Sequence, residues 1–401
     1  MEINTSLMDQ ASLEFSELTR SQLPALHLLQ NLGYTYLSPR EALTLRGGRA
    51  DAVLLESVLL DWLARNNEIQ YHGQRYPFSE ANIHTAVQVL KETLSIGLLR
   101  TNESIFDLLS LGKSLPQSVN GNLKSFSLRY IDWEHPEQNV YHVAEEFAVE
   151  RRGSHETRRP DLVLFVNGIP FGVIECKSPD LKDPMTQAIS QQIRNQKEDE
   201  IPVLFQYAQL LLAVSGNEAK YATVGTPAKF WSVWKEESEA FEKNVKASVD
   251  QPLSRSQIQA LYDAFPGKHR MEAVNSLNLP RVVTAQDRAI YSLCQPERLL
   301  ELAYGFTLFD AGEKKVARYQ QYFCVKKIMR RIYERDSEGR RSGGVVWHTQ
   351  GSGKSLTMVF LAKAIALQPD IPDFKIVLVT DRVDLDDQIY KTFHACGKEV
   401  E

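Results

Sequence analysis

The sequence predicts an α/β protein of two domains, the first built on a central mixed sheet and the second a partial domain with a parallel sheet. Three observations carry that prediction. The stretch RRPDLVLFVNGIPFGVIECKSP sets two apolar, β-rich runs on either side of Asn167-Gly168, the strongest short-range hairpin signal. Gly343 to Leu367 reads as strand, glycine-rich turn and amphipathic helix. Between them, residues 238–279 are polar and Pro252, Pro266 and Pro280 punctuate the region, as in a helical connector. The 401 residues suffice for such domains to bury their own cores, and the boundaries read as 1–240, 241–280 and 281–401.

In chain order, Leu18, Leu23, Leu26, Leu28 and Leu29 recur on one face of a helix over 16–31, stopped by Gly33. A strand over 34–37 follows. Helical spacing then continues from Glu56 to about Leu111, through Leu59, Trp62, Leu63, Val87 and Leu90. Alternating runs at 126–131 and 140–149 read as strands. After the hairpin come a polar helix over 184–198, an apolar run over 203–214 that returns to the sheet, and a closing segment over 221–234.

Composition narrows the function classes. A formal net charge of −5 and a pI near 6.1 exclude a polybasic protein, so contact with nucleic acid must use local clusters. Such clusters exist at Arg151, Arg152, Arg158 and Arg159, at Lys326, Lys327, Arg330 and Arg331, and at Arg340 and Arg341. Cys176, Cys294, Cys324 and Cys396 lie far apart without a Cys-x-x-Cys pair, which suits a reducing cytoplasm. No histidine pair has zinc-enzyme spacing. The start has no apolar signal segment, and the charge-free run 201–217 is short for a membrane span.

Asp161, Glu175 and Lys177 form the first constellation. Magnesium-dependent phosphodiester cleavage needs carboxylates to hold the hard cation and a positive group to orient water and offset phosphate charge. Glu175 and Lys177 stand two apart on a strand and so share a face. A three-residue loop at Asn167-Gly168-Ile169 would set Asp161 opposite Glu175, whereas a two-residue loop would slip the pairing by one. The Cys176 carbonyl offers a further metal oxygen, while its thiol points to the opposite face. Glu218-Ala219-Lys220 and Glu313-Lys314-Lys315 repeat the Glu-x-Lys pattern, but in polar surroundings.

Pro160-Asp161 with Glu175-Cys176-Lys177 resembles the PD-(D/E)xK nuclease superfamily. More narrowly, RRPDLVLFVNGIPFGVIECKSP and LTRSQLPALHLLQNLGYTYLS resemble the nuclease domain of type I restriction enzyme R subunits. Such domains often add an acidic residue on the opening helix and a Gln-x-x-x-Tyr motif on the helix after the lysine. Here the opening helix offers Gln22, with Glu14 and Glu17 upstream, and the later one Gln187, Gln191 and Gln192 without a tyrosine in register.

Thr349-Gln350-Gly351-Ser352-Gly353-Lys354-Ser355 forms the second constellation, between a predicted buried strand over 343–348 and a helix over 356–367. Glycines let backbone N–H groups converge on phosphate, Lys354 reaches the β/γ-phosphates of ATP, and the Ser355 hydroxyl ligates Mg²⁺. His348 stands where a P-loop usually begins with glycine, so the segment resembles motif I of superfamily 2 helicases, which implies a RecA-like lobe. A strand over 374–380 ends in a loop that resembles motif Ia, implying Thr380 and Arg382 as DNA phosphate contacts. Gln320 or Gln321 would read adenine. No Asp-Glu-x-His strand occurs before Glu401, so this chain is expected to bind ATP without translocating.

The order of the two domains extends the resemblance to type I R subunits over nearly the whole chain. It implies partnership with methyltransferase and specificity subunits, S-adenosylmethionine held by those partners, and cleavage of unmethylated double-stranded DNA after ATP-driven translocation. The alternatives are a stand-alone helicase-nuclease of DNA repair and a catalytically silent DNA-binding or assembly module.

Overall fold

Strands that are apolar on both faces need cover on both faces, and the predicted hairpin accordingly lies in the middle of a sheet. The computed structural model describes residues 16–92, 97–341, 343–349, 351–371, 374–379, 389–394 and 396. The chain divides into two units, Met1–Leu300 and Glu301–Glu401.

In the first unit, β1 (Thr35–Leu37) is followed by the hairpin of β2 (Glu68–Tyr71) and β3 (Gln74–Pro77), and by that of β4 (Lys113–Val119) and β5 (Asn122–Leu128). The first hairpin falls where helix was expected, and the second overlaps the strand expected over 126–131 but begins earlier. Helical spacing on either side hid the turn at His72-Gly73, and Asn120-Gly121 closes the second hairpin with φ of 52° and 80°. Next come β6 (Tyr141–Glu145), the short ladder of β7 (Val149–Glu150) and β8 (Thr157–Arg158), β9 (Leu162–Val166), β10 (Ile169–Cys176), β11 (Leu210–Val214) and β12 (Ala219–Ala222). Six of these form one mixed sheet in the order β1-β6-β9-β10-β11-β12. β1 runs parallel to β6 and β10 to β11, and the other neighbours are antiparallel.

The register of β9 and β10 positions the site by a route the sequence reading did not foresee. The turn has two residues, Asn167 and Gly168, with φ of 53° and 81°, and Val166 pairs with Ile169. That turn alone would slip the pairing by one residue. A bulge between Pro170 and Gly172 restores it, so that Leu162 faces Ile174 and the next step brings Asp161 level with Glu175. Buried Asn167 holds the turn through its amide, which donates to the Tyr130 carbonyl and to Asn139 Oδ1 and accepts from the Val140 N–H.

The polar stretch after the sheet is helical, as predicted, in three helices, Glu239–Asp250, Arg255–Ala264 and Lys268–Ser276. They belong to the same unit as the sheet, together with the helix Ala285–Cys294. His27 and Asn31 of the helix Leu23–Asn31 bond the Gln251 carbonyl, and Gln286 exchanges two hydrogen bonds with Ser21.

In the second unit β13 (Thr307–Asp310) and β14 (Glu313–Val316) form a hairpin, and the helices Tyr319–Tyr333 and Lys354–Ala366 pack on each other. Lys314 is buried on β14, not in polar surroundings as expected. Two predicted strands are not formed: residues 343–348 are irregular, with Val345 96% and Trp347 94% exposed, and 374–379 likewise, with Val379 87% exposed. A parallel strand needs hydrogen-bonding neighbours in its sheet, and among the described residues none pairs with either segment. No described helix is long and apolar enough to cross a membrane.

Candidate active site

Two neighbouring strands deliver three charged groups to one point. Asp161 precedes β9, Glu175 is the last residue but one of β10, and Lys177 continues β10's line by donating its N–H to the Val214 carbonyl at 2.9 Å. All three are buried. Lys177 Nζ lies 3.1 Å from Glu175 Oε1, 2.9 Å from the Cys176 carbonyl and 3.8 Å from Asp161 Oδ2. The oxygens assigned to a metal from sequence therefore converge on one cation, here the ammonium.

The backbone locks this geometry. The Cys176 N–H donates to Asp161 Oδ2 at 2.6 Å, while the Glu146 N–H donates to the Asp161 carbonyl at 2.9 Å. Cys176 keeps its side chain in the core. Gln192 buries its amide against the Val173 and Leu212 carbonyls, tying its helix, Pro184–Asn195, to β10 and β11. It is a strap for the sheet, whereas Gln187 is exposed and Gln191 half-buried.

Burial dominates the electrostatics, and charge crowding adds to it. Burial first, then repulsion from Asp161, pushes the Glu175 carboxyl well above the usual range. Burial also raises Asp161, against the pull of Lys177 and the Cys176 N–H. Burial alone would lower the Lys177 ammonium, but Glu175, Asp161 and Glu17 outweigh it and hold its pKa above the ordinary value.

Two further carboxylates join the cluster. Glu17, which precedes the π-helical turn Leu18–Gln22, brings Oε2 to 3.7 Å from Lys177 Nζ and so, among the described residues, is the carboxylate the opening helix gives the site, while Glu14 lies outside the described residues. Gln22 donates instead to Glu145 and Glu146 at 3.2 and 3.4 Å. Burial, with Asp161 and Glu145 nearby, pushes Glu146 up to about 7. Sequence reading missed this residue; its signal was an acidic pair ending an apolar strand. Glu145 is buried and meets Arg270 through two hydrogen bonds of 2.8 and 2.7 Å, and Tyr36 donates to it as well.

Among the described residues no three Asp, Glu, His or Cys side chains form a ready-made metal cage. Mg²⁺ does not require one, since it usually takes one or two carboxylates and keeps several waters. The residues fit such an ion on one observation: Glu175 Oε2 is buried without a hydrogen-bond partner and its carboxylate stands against that of Asp161. Two facing carboxylates that share one ammonium, with one oxygen left unbonded, suit a further cation.

In the second unit, Gly351 and Gly353 take φ of 78° and 83° and lead into the helix that starts at Lys354. Lys354 is exposed and Ser355 half-buried. Ser352 Oγ donates to the Thr349 carbonyl at 2.7 Å. Of the two candidate glutamines, the structure brings Gln321 to this loop: its Nε2 donates to the Gly353 carbonyl at 3.1 Å and its Oε1 accepts from the Arg318 N–H. Gln320 is exposed. Thr380 and Arg382 lie outside the described residues.

Residues 14–230 match the family described as type I restriction enzyme R protein N terminus, and residues 320–401 match the SWI2/SNF2 ATPase family. The chain is 31% identical over 392 residues to the putative type I restriction enzyme MjaIXP endonuclease subunit of Methanocaldococcus jannaschii, an alignment covering 94% of this chain and 34% of that protein. It is 28% identical over 386 residues to the type I restriction enzyme HindI endonuclease subunit of Haemophilus influenzae, covering 94% and 32%. A Staphylococcus aureus type I endonuclease subunit, SauCOLORF180P, is 23% identical over 273 residues, covering 68% of this chain and 24% of that protein. The chain thus spans about a third of the length of the first two relatives.

Proposed function

The chain belongs to the type I restriction enzyme R proteins, and from that premise we propose that its first domain is a Mg²⁺-dependent nuclease of the PD-(D/E)xK fold. Its substrate is unmethylated double-stranded DNA. Its working form is a cytoplasmic assembly with methyltransferase and specificity subunits, which hold S-adenosylmethionine and choose the target. The second unit is read as the opening of a RecA-like, ATP-driven DNA translocase. Gly351, Ser352, Gly353 and Lys354 would cradle the phosphates, Ser355 would ligate the nucleotide's Mg²⁺, and Thr380 and Arg382 are assigned to the DNA backbone. Gln321 supports the loop, which leaves exposed Gln320 to read adenine.

The observation that carries the nuclease reading is the convergence of Asp161, Glu175 and Lys177, with one Glu175 oxygen buried and unbonded. Asp161, Glu175 and the Cys176 carbonyl would hold the ion. When bound, Mg²⁺ lowers the pKa of water and polarises a phosphoryl oxygen. Lys177 is placed to orient the attacking water and to offset charge growing on the phosphate. Its neighbours keep it protonated, which suits electrostatic stabilisation and not proton abstraction.

Cleavage of unmodified plasmid by the whole subunit, with and without methyltransferase and specificity subunits and ATP, tests the proposal. Cutting only in the complete mixture is expected. Asp161→Ala and Lys177→Ala should each abolish it while ATP binding persists; cutting that survives Asp161→Ala would show the site to be misassigned. Cutting by the subunit alone would favour a repair nuclease.

A further inference from the structure

The candidate site is acidic before any substrate arrives. Glu17, Asp161 and Glu175 stand around one ammonium, Lys177, and Glu146 stands near Asp161. A divalent ion answers part of that charge, but a DNA strand carries phosphates on both sides of the bond to be cut. These need a cation of their own. The arginines nearby in sequence are candidates, and ion pairs separate them. Arg158 grips Glu200 through hydrogen bonds of 2.6 and 2.9 Å. Arg151 reaches Glu156 at 2.7 Å and Glu200 at 3.2 Å, and Arg152 reaches Glu198 at 3.3 Å.

Arg159 differs from the other three. It is exposed, and among the described residues no carboxylate lies within ion-pair distance of its guanidinium. Its backbone is nonetheless fixed against the site. Pro160 follows it and favours an extended conformation at Arg159. The Pro160 and Asp161 carbonyls accept from the Phe147 and Glu146 N–H groups at 3.2 and 2.9 Å. The guanidinium is close enough to act on the Glu146 carboxylate. An unpaired arginine rooted two residues before Asp161 is therefore held at the edge of the acidic cluster.

We propose that Arg159 binds a backbone phosphate of duplex DNA beside the candidate catalytic centre, positioning the strand without reading its sequence. A planar guanidinium suits a phosphate, which it meets through two parallel hydrogen bonds. This rests on the nuclease reading of the first domain, and the test separates the two.

The test measures binding of a fluorescein-labelled DNA duplex to the 401-residue chain by anisotropy over a series of salt concentrations, with Ca²⁺ replacing Mg²⁺ so that nothing is cut. Arg159→Ala should weaken binding roughly five- to ten-fold near 0.1 M salt and reduce the slope of log K against log salt by about 1. Arg159→Lys should restore most of that slope, because a point charge still displaces a counterion. Arg152→Ala, in an exposed pair, is the control and should change neither quantity. Thermal melts of each variant, unchanged because Arg159 is exposed, exclude misfolding. Arg159→Ala indistinguishable from wild type would overturn the assignment while leaving the nuclease reading in place. A wild-type chain that binds no duplex even at low salt would also overturn the assignment, and the nuclease reading would then stand or fall on the plasmid assay.

Discussion

Glu146 shows how one side chain records the crowding around it. Burial and its acidic neighbours lift its pKa to about 7, so it holds a proton more tightly folded than unfolded. A group of that kind contributes stability that is complete below its unfolded value and lost as pH rises through the folded one. Asp161 and Glu175 are shifted in the same direction. In metal-free buffer, these three carboxyls should lower the urea midpoint as pH rises from about 4.5 to beyond about 7, while His27 and His142, whose pKa values burial lowers, act the other way. Glu146→Gln should flatten part of that slope. Divalent ion should oppose the loss, because it stabilises the ionised carboxylates of the native state. A Glu146→Gln chain whose midpoint keeps the wild-type dependence on pH would contradict the crowding. Glu175 and Lys177 were legible in the sequence because strand periodicity decides which side chains share a face, whereas the register of Asp161 against them stayed open between two loop lengths. Glu146 was not legible, since its importance comes from the Asp161 carbonyl folding back onto its N–H.

Among elements, the hairpin and the helix Lys268–Ser276 depend most on single residues. Gly168 has φ of 81°, and a Cβ there would meet the Leu55 carbonyl at 2.5 Å. Gly168→Ala should therefore cost at least about 1–3 kcal/mol from backbone strain, visible as a lowered thermal midpoint. Glu145 and Arg270 are both buried and joined 125 residues apart in sequence. Removing one partner strands a buried charge, so Arg270→Ala should cost about 3–5 kcal/mol in urea denaturation. Glu145→Leu combined with Arg270→Met should recover most of the loss, since a buried ion pair is often replaced by apolar groups at little cost. The hairpin's turn was readable from Asn167-Gly168. The bulge at Pro170/Gly172 was not, although it sets the register of the site, because a bulge is settled by how the sheet packs.

At the scale of the whole molecule, the match to the R protein N terminus ends at residue 230, yet the first unit runs to Leu300 and includes Arg270. A chain ending at residue 240 should unfold at much lower urea than one ending at 300, which should keep its affinity for Mn²⁺ in calorimetry. Lys354→Ala should weaken ATP binding in the intact chain without changing that metal affinity, because the two constellations lie in different units. By itself the sequence determined the α/β class, the central hairpin, the shared face of Glu175 and Lys177 and the glycine-rich turn before a helix. All of these follow from local rules: side-chain alternation along a strand, positive φ at Asn-Gly, and glycine where backbone turns sharply. Only the tertiary structure decided that Glu17 and Glu146 join the cluster, that Arg270 neutralises Glu145, and that residues 343–348 and 374–379 stay irregular. Each depends on what lies beside a residue in space, and neither charge compensation nor strand pairing can be assigned before distant segments meet.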